Sequence, residues 1–286
     1  RFLGYMKAEL QIIDGLSATM NTSYEFNSVK SGLYKPTYAR MEGQSEKGWG
    51  QRLYDDYTNK QLELYLTYDK KFADIHHLNL MGGYSYLDNI YEGFSATRSG
   101  YDSDAFGYNN LGAGSDYRQG DAGSYKGGSK LISFFGRVNY SLLDRYMLTA
   151  TLRRDGSSRF GENHKWGLFP SVSFAWRISE EPFMASTRDW LDNLKLRAGF
   201  GVTGNQNGIG EYKSLSILSA AGSAYYDGAT NTWKNSYTQI QNPNPDLKWE
   251  STAQWNLGVD FSVFNKLNGT LELYYKKTSD LLWTYP

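Results

Sequence analysis

The sequence contains no cysteine, which excludes a disulfide scaffold and any thiolate nucleophile or metal ligand while leaving the compartment open. It also lacks any run approaching about 18 consecutive apolar residues, so a membrane-spanning helix is excluded. A membrane β-barrel is not, because its strands disguise their apolar residues by alternating them with polar ones. Net charge is missing too: 30 Lys and Arg balance 30 Asp and Glu, which argues against a nucleic-acid partner. Residues 1–12 show no basic segment followed by an apolar core and a small-residue cleavage site. An exported protein needs such a leader, so the chain is expected to be an internal piece of a longer one.

What is abundant is aromatic and small. There are 24 Tyr, 14 Phe and 8 Trp, with 30 Gly to mark frequent turns. The stretch from Lys130 to Ile178 shows how they are used. Ile132, Phe134, Val138 and Tyr140 fall on one parity, against Ser133, Phe135, Arg137 and Asn139 on the other. Tyr146, Leu148, Ala150 and Leu152 restart the pattern, and Val172, Phe174, Trp176 and Ile178 repeat it. A period of two is the mark of a strand with one apolar and one wet face. A tilted strand of about 12 residues spans roughly 30 Å, the thickness of a bilayer's hydrocarbon.

The rest of the chain follows the same rule. Strands are expected near residues 2–12, 16–26, 57–72, 78–86, 194–203, 249–261 and 267–275, making ten in all. A short rim helix is expected after Pro182, around Phe183, Trp190 and Leu191. The connections near 13–15, 73–77, 142–145, 179–193 and 263–266 are mostly brief; those at 27–56, 94–128, 156–166 and 204–246 are mostly long. Short and long alternate, as periplasmic turns and external loops do in outer-membrane barrels. The expected fold is therefore all-β, an antiparallel up-and-down transmembrane β-barrel sector of about ten strands belonging to a larger barrel.

Particular words carry a resemblance. RYMLTATLRRDGSSRFG at 145–161, FPSVSFAWRISEEPFM at 169–184, LDNLKLRAGFGVTGNQNGIGEY at 191–212, NPNPDLKWESTAQWNLGVDF at 242–261 and YYKKTSDLL at 274–282 resemble the SusC/RagA group of TonB-linked outer-membrane transporters. The specific wording covers about half of the chain. The resemblance implies a barrel of about 22 strands with a plug, energised through the TonB complex and importing oligosaccharides or peptides with a SusD-like surface lipoprotein. On this reading residues 1–286 are a partial TonB-dependent receptor-like β-barrel domain, with the plug and remaining strands outside it. Its partners would be outer-membrane lipid, the lipoprotein, the TonB complex through the parent's plug, and a glycan or peptide substrate. It would be no enzyme and would need no cofactor.

Other motifs carry less. Gly199-Phe200-Gly201-Val202-Thr203-Gly204 spells a dinucleotide fingerprint, but residues 205–210 cannot open the helix that the pyrophosphate requires. His76, His77 and His164 lie in turns and loops too scattered to converge on a metal. Ser157 and Ser158 neighbour Asp155 and His164 without a nucleophile elbow. Asp102 and Asp104 lack the rest of a calcium loop. Aromatics gather in two long loops, Tyr101, Phe106, Tyr108, Tyr117 and Tyr125 in one and Tyr212, Tyr225, Tyr226, Trp233 and Tyr237 in the other; of these Tyr101, Tyr108, Tyr117, Tyr225, Tyr226 and Trp233 are the candidate substrate contacts, since flat rings cover the apolar faces of sugars or grip peptide side chains. Arg153, Asp155, Arg197, Glu250 and Glu272 are expected to face the lumen. The competing reading is a secreted or surface β-sandwich serving as a binding or adhesion module, which would bury alternate residues in a protein core.

Overall fold

The computed structural model describes residues 1–40, 42–118 and 120–283. Its strands are β1 (Phe2–Ile13), β2 (Leu16–Lys35), β3 (Trp49–Phe72), β4 (His76–Tyr101), β5 (Gly114–Asp116), β6 (Ala122–Leu142), β7 (Tyr146–Ser157), β8 (Trp166–Arg177), β9 (Leu191–Asn205), β10 (Ile217–Asp227), β11 (Thr232–Gln241), β12 (Glu250–Val263) and β13 (Leu267–Ser279). One hydrogen-bonded path runs β1-β2-β3-β4-β6-β7-β8-β9-β12-β13, with β5 added beside β4, while β10 and β11 pair only with each other. The chain divides into two compact units, residues 1–6, 22–62 and 87–129 in one and 7–21, 63–86 and 130–286 in the other.

In the second unit the alternation of the sequence becomes two faces. Tyr140, Leu148, Phe174, Ala198, Leu257 and Leu273 are partners in register across β6, β7, β8, β9, β12 and β13. The next row holds Asn139, Thr149, Ser173, Gly199, Asn256 and Tyr274. Side chains on adjacent rows point to opposite faces, so one face is greasy and the other polar. Among the described residues no protein layer covers the greasy face: Phe134 is 51% exposed, Phe174 41% and Leu271 62%. Among the described residues the buried apolar side chains are Tyr101, Phe160, Phe169, Leu191 and Trp249. A sandwich would have buried the alternating set instead.

Three short turns share one conformation. Ala73-Asp74, Leu143-Asp144 and Phe264-Asn265 all have positive φ at both positions, and each turn is closed by an i to i+3 bond, Phe72 to Ile75, Leu142 to Arg145 and Val263 to Lys266. Positive φ at both central residues matches the right-handed twist of the flanking strands. The β2, β3, β4 and β6 strands run to 20, 24, 26 and 21 residues, well into the stretches expected to be loops. There the backbone ladder continues although the greasy stripe has ended. The rim helix is instead a pair of 3-10 turns, Ile178–Glu180 and Pro182–Thr187.

A clasp closes the other end of this unit. Phe160 lies tilted against Trp249 with ring centres 4.6 Å apart, and Phe169 meets Trp249 edge-on at 5.3 Å. Gly161 donates its N–H to Leu247 O, Asn163 donates to Pro245 O through its backbone and to Asp246 through its side chain, and Trp249 Nε1 donates to Lys165 O. A side chain at 161 would stand 1.9 Å from Pro245 O, so only glycine fits. Two distant words of the sequence are thus one contact.

Candidate functional site

The polar face carries its charges in fixed pairs. Arg153 Nε donates to both oxygens of Asp155 at 2.8 and 2.9 Å, and its Nη2 reaches Ser133 Oγ at 2.7 Å. Arg197 grips Asp260 through Nε and Nη2 at 2.8 and 2.9 Å and Glu272 at 2.8 Å. Glu250 accepts from Asn205 Nδ2 at 3.0 Å and from the Leu282 N–H at 3.1 Å. Two or more bonds to each of Arg153, Arg197 and Glu250, bidentate in the Arg197–Asp260 pair, hold these side chains in place. All five expected lumen residues lie on the face opposite the greasy one.

The loop aromatics are scattered. Tyr101 is no loop residue: it ends β4, is 4% exposed, and packs against Gly48, Gly50 and Gly114 with its hydroxyl unpartnered. Tyr108 sits in a 3-10 turn with its ring against Gly32 and the Arg52 guanidinium 5.5 Å from its centre. Tyr117 is 57% exposed under Arg98 at 4.3 Å. The structure brings Tyr226 and Trp233 together, opposite each other in β10 and β11 with ring centres 5.4 Å apart, whereas Tyr225 pairs with Lys234 on the other face of that hairpin.

The residues set aside find structural partners. His76 Nδ1 meets Tyr140 Oη at 2.7 Å, His77 meets Asp69 at 3.0 Å, and His164 lies 3.8 Å from Asp246. Asp155 is committed to Arg153, so Ser157 and Ser158 have no triad. The 199–204 glycines lie inside β9, antiparallel to both neighbours, with no helix following. Asp104 is a latch, accepting from the Thr37 N–H at 2.9 Å, Thr37 Oγ1 at 2.8 Å and Tyr34 Oη at 2.7 Å. Those bonds, the backbone one foremost, hold its carboxyl below the usual aspartate range.

Sequence reasoning counted Tyr125 among the aromatics of a long loop and missed its partner Tyr91 in the first unit. Tyr91 of β4 and Tyr125 of β6 stand with ring centres 6.1 Å apart, Tyr91 over Gly127 and Tyr125 over Gly93. Tyr125 Oη donates to Asp55 Oδ1 at 2.7 Å. The signal was present as glycines at 93 and 127, but only strand pairing shows which ring each admits.

The model of the family described as TonB dependent receptor-like, beta-barrel, matches residues 5–286. The chain belongs to that family. Among relatives of this TonB-dependent receptor-like barrel chain, the TonB-dependent receptor P3 of Formosa agariphila is 35% identical over 98% of the chain and 27% of its own length. The TonB-dependent receptor SusC of Bacteroides thetaiotaomicron is 43% identical over 56% of the chain and 16% of its own length. The chain therefore spans about a quarter or less of these relatives. Of solved structures, the RagAB peptide transporter superposes with a TM-score of 0.84 over 99% of the chain and 30% of the matched chain, at 23% identity, a likeness of fold. The ten-strand path is thus a portion of a TonB-dependent receptor-like barrel wall.

Proposed function

We propose that this chain is part of the wall of an outer-membrane, TonB-dependent active transporter that imports oligosaccharides or peptides together with a SusD-like surface lipoprotein. The observation that carries the reading is the uncovered greasy face, rows of exposed Leu, Phe and Val in register over six strands. Apolar area of that extent is unfavourable in water and favourable against lipid tails. The polar face, with Arg153, Asp155, Arg197, Glu250 and Glu272, would then line the lumen or meet a plug. Family membership supports this reading, as does the resemblance to SusC/RagA proteins. Exposed Tyr108, Tyr117, Tyr225, Tyr226 and Trp233 are the proposed loop contacts to substrate or lipoprotein.

The test uses the full-length parent in its host. The protein is expected in the outer-membrane fraction, and uptake of its nutrient is expected to stop when TonB is deleted. Uptake that persists without TonB, or recovery of the parent in the soluble fraction, would overturn the reading.

A further inference from the structure

Glycine inside a strand weakens it, and its recurrence under an aromatic ring marks a place where backbone must be approached closely. Two such places adjoin in the first unit. A Cβ at residue 127 would stand 2.3 Å from Tyr91 Cζ and Oη, and one at residue 93 would stand 2.6 Å from both Tyr125 Cζ and Asp55 Oδ1. Both rings therefore lie against bare backbone. Tyr125 remains 51% exposed, and its tip is pinned by Asp55.

The surroundings of the pair within the first unit are polar: Tyr125 Oη donates to the Asp55 carboxylate at 2.7 Å. A charged group is costly against lipid tails, so lipid does not explain an exposed ring held by one.

We propose that Tyr91 and Tyr125 form a stacking platform for the pyranose rings of a neutral oligosaccharide, which rests on the importer reading and selects glycan over peptide as its substrate class. The carbon-bound hydrogens of a pyranose face suit an open aromatic face, and a carboxylate beside it accepts hydroxyl protons. Asp55, in contact with Tyr125, would repel an acidic sugar. An extended peptide would need free backbone groups or side-chain pockets. β4 and β6 are interior strands of the path, their backbone engaged on both sides.

The experiment takes the full-length transporter in detergent and titrates it with neutral gluco-, manno-, galacto- and xylo-oligosaccharides, with a tryptic digest of casein as the peptide arm. At least one neutral oligosaccharide is expected to bind. Tyr125→Ala is expected to weaken it about tenfold, and Tyr125→Phe, which keeps the ring, within about twofold of wild type. Heat-modifiable migration on gels checks folding. Should Tyr125→Ala misfold, Gly93→Ala, which lifts the ring off the wall, carries the same expectation. Binding of casein peptides alone, binding of nothing, or sugar affinity unchanged in both variants would overturn the platform. Peptide uptake that still requires TonB would sink this inference and leave the importer reading standing.

Discussion

Phe174 and Ser173 are neighbours in β8 that the strand sends to opposite solvents. Phe174 sits in a row with Leu148 and Ala198, and Ser173 in a row with Thr149 and Gly199. Phe174→Arg is expected to destabilise the assembled barrel by about 2–4 kcal/mol if the position lies at the bilayer midplane, and Ser173→Asn to change little. Equal losses in a urea-titration folding assay in lipid vesicles would contradict the two faces. At the clasp, Trp249→Ala removes the ring that joins Phe160 and Phe169, and about 3–5 kcal/mol is the expected loss. Gly161→Ala meets backbone oxygen and should cost about 1–3 kcal/mol in the same assay. Parity alone identified Phe174 and Ser173 from sequence. The clasp was invisible, because residues 158–165 and 244–249 meet only through tertiary folding.

At the scale of elements, the turns and the long-loop latch make separate claims. Leu143 and Phe264 hold φ of 55° and 54°, a conformation that burdens a side chain bearing a Cβ. Replacing either with Asn or Gly is expected to raise stability by about 1 kcal/mol. The Asp104 latch should depend on acid. Its folded carboxyl is depressed, so its contribution is fully present above the ordinary aspartate value of about 3.9 and is lost as pH falls through the lower folded value. Hydrogen exchange at the Thr37 amide should accelerate over that acid range, and Asp104→Asn should flatten the dependence. Short turns and strand cores were legible in the sequence since a period of two needs only neighbours. Strand lengths were not: beyond the greasy rows the ladder of β2, β3, β4 and β6 persists on polar residues such as Asn27, Asp55 and Asn89. For the same reason Tyr125 looked like a loop residue, and the β10–β11 hairpin was folded into one long connection.

For the molecule as a whole, fold class and family were readable while the pairing of side chains across strands was not. Repeated alternation and a few long words suffice for the first two, but a site is a set of distances between strands. The uncovered face predicts behaviour outside a membrane: residues 1–286 produced in water without detergent should aggregate, and a monodisperse soluble monomer in sedimentation would count against the lipid assignment. One more consequence comes from the tyrosines laid against glycine. A ring lying along a wall takes up its thickness instead of its length, so a passage lined this way keeps its clearance and still offers grip. The cost falls on evolution's freedom, for positions 93 and 127 can accept no heavier residue without pushing a ring off the backbone.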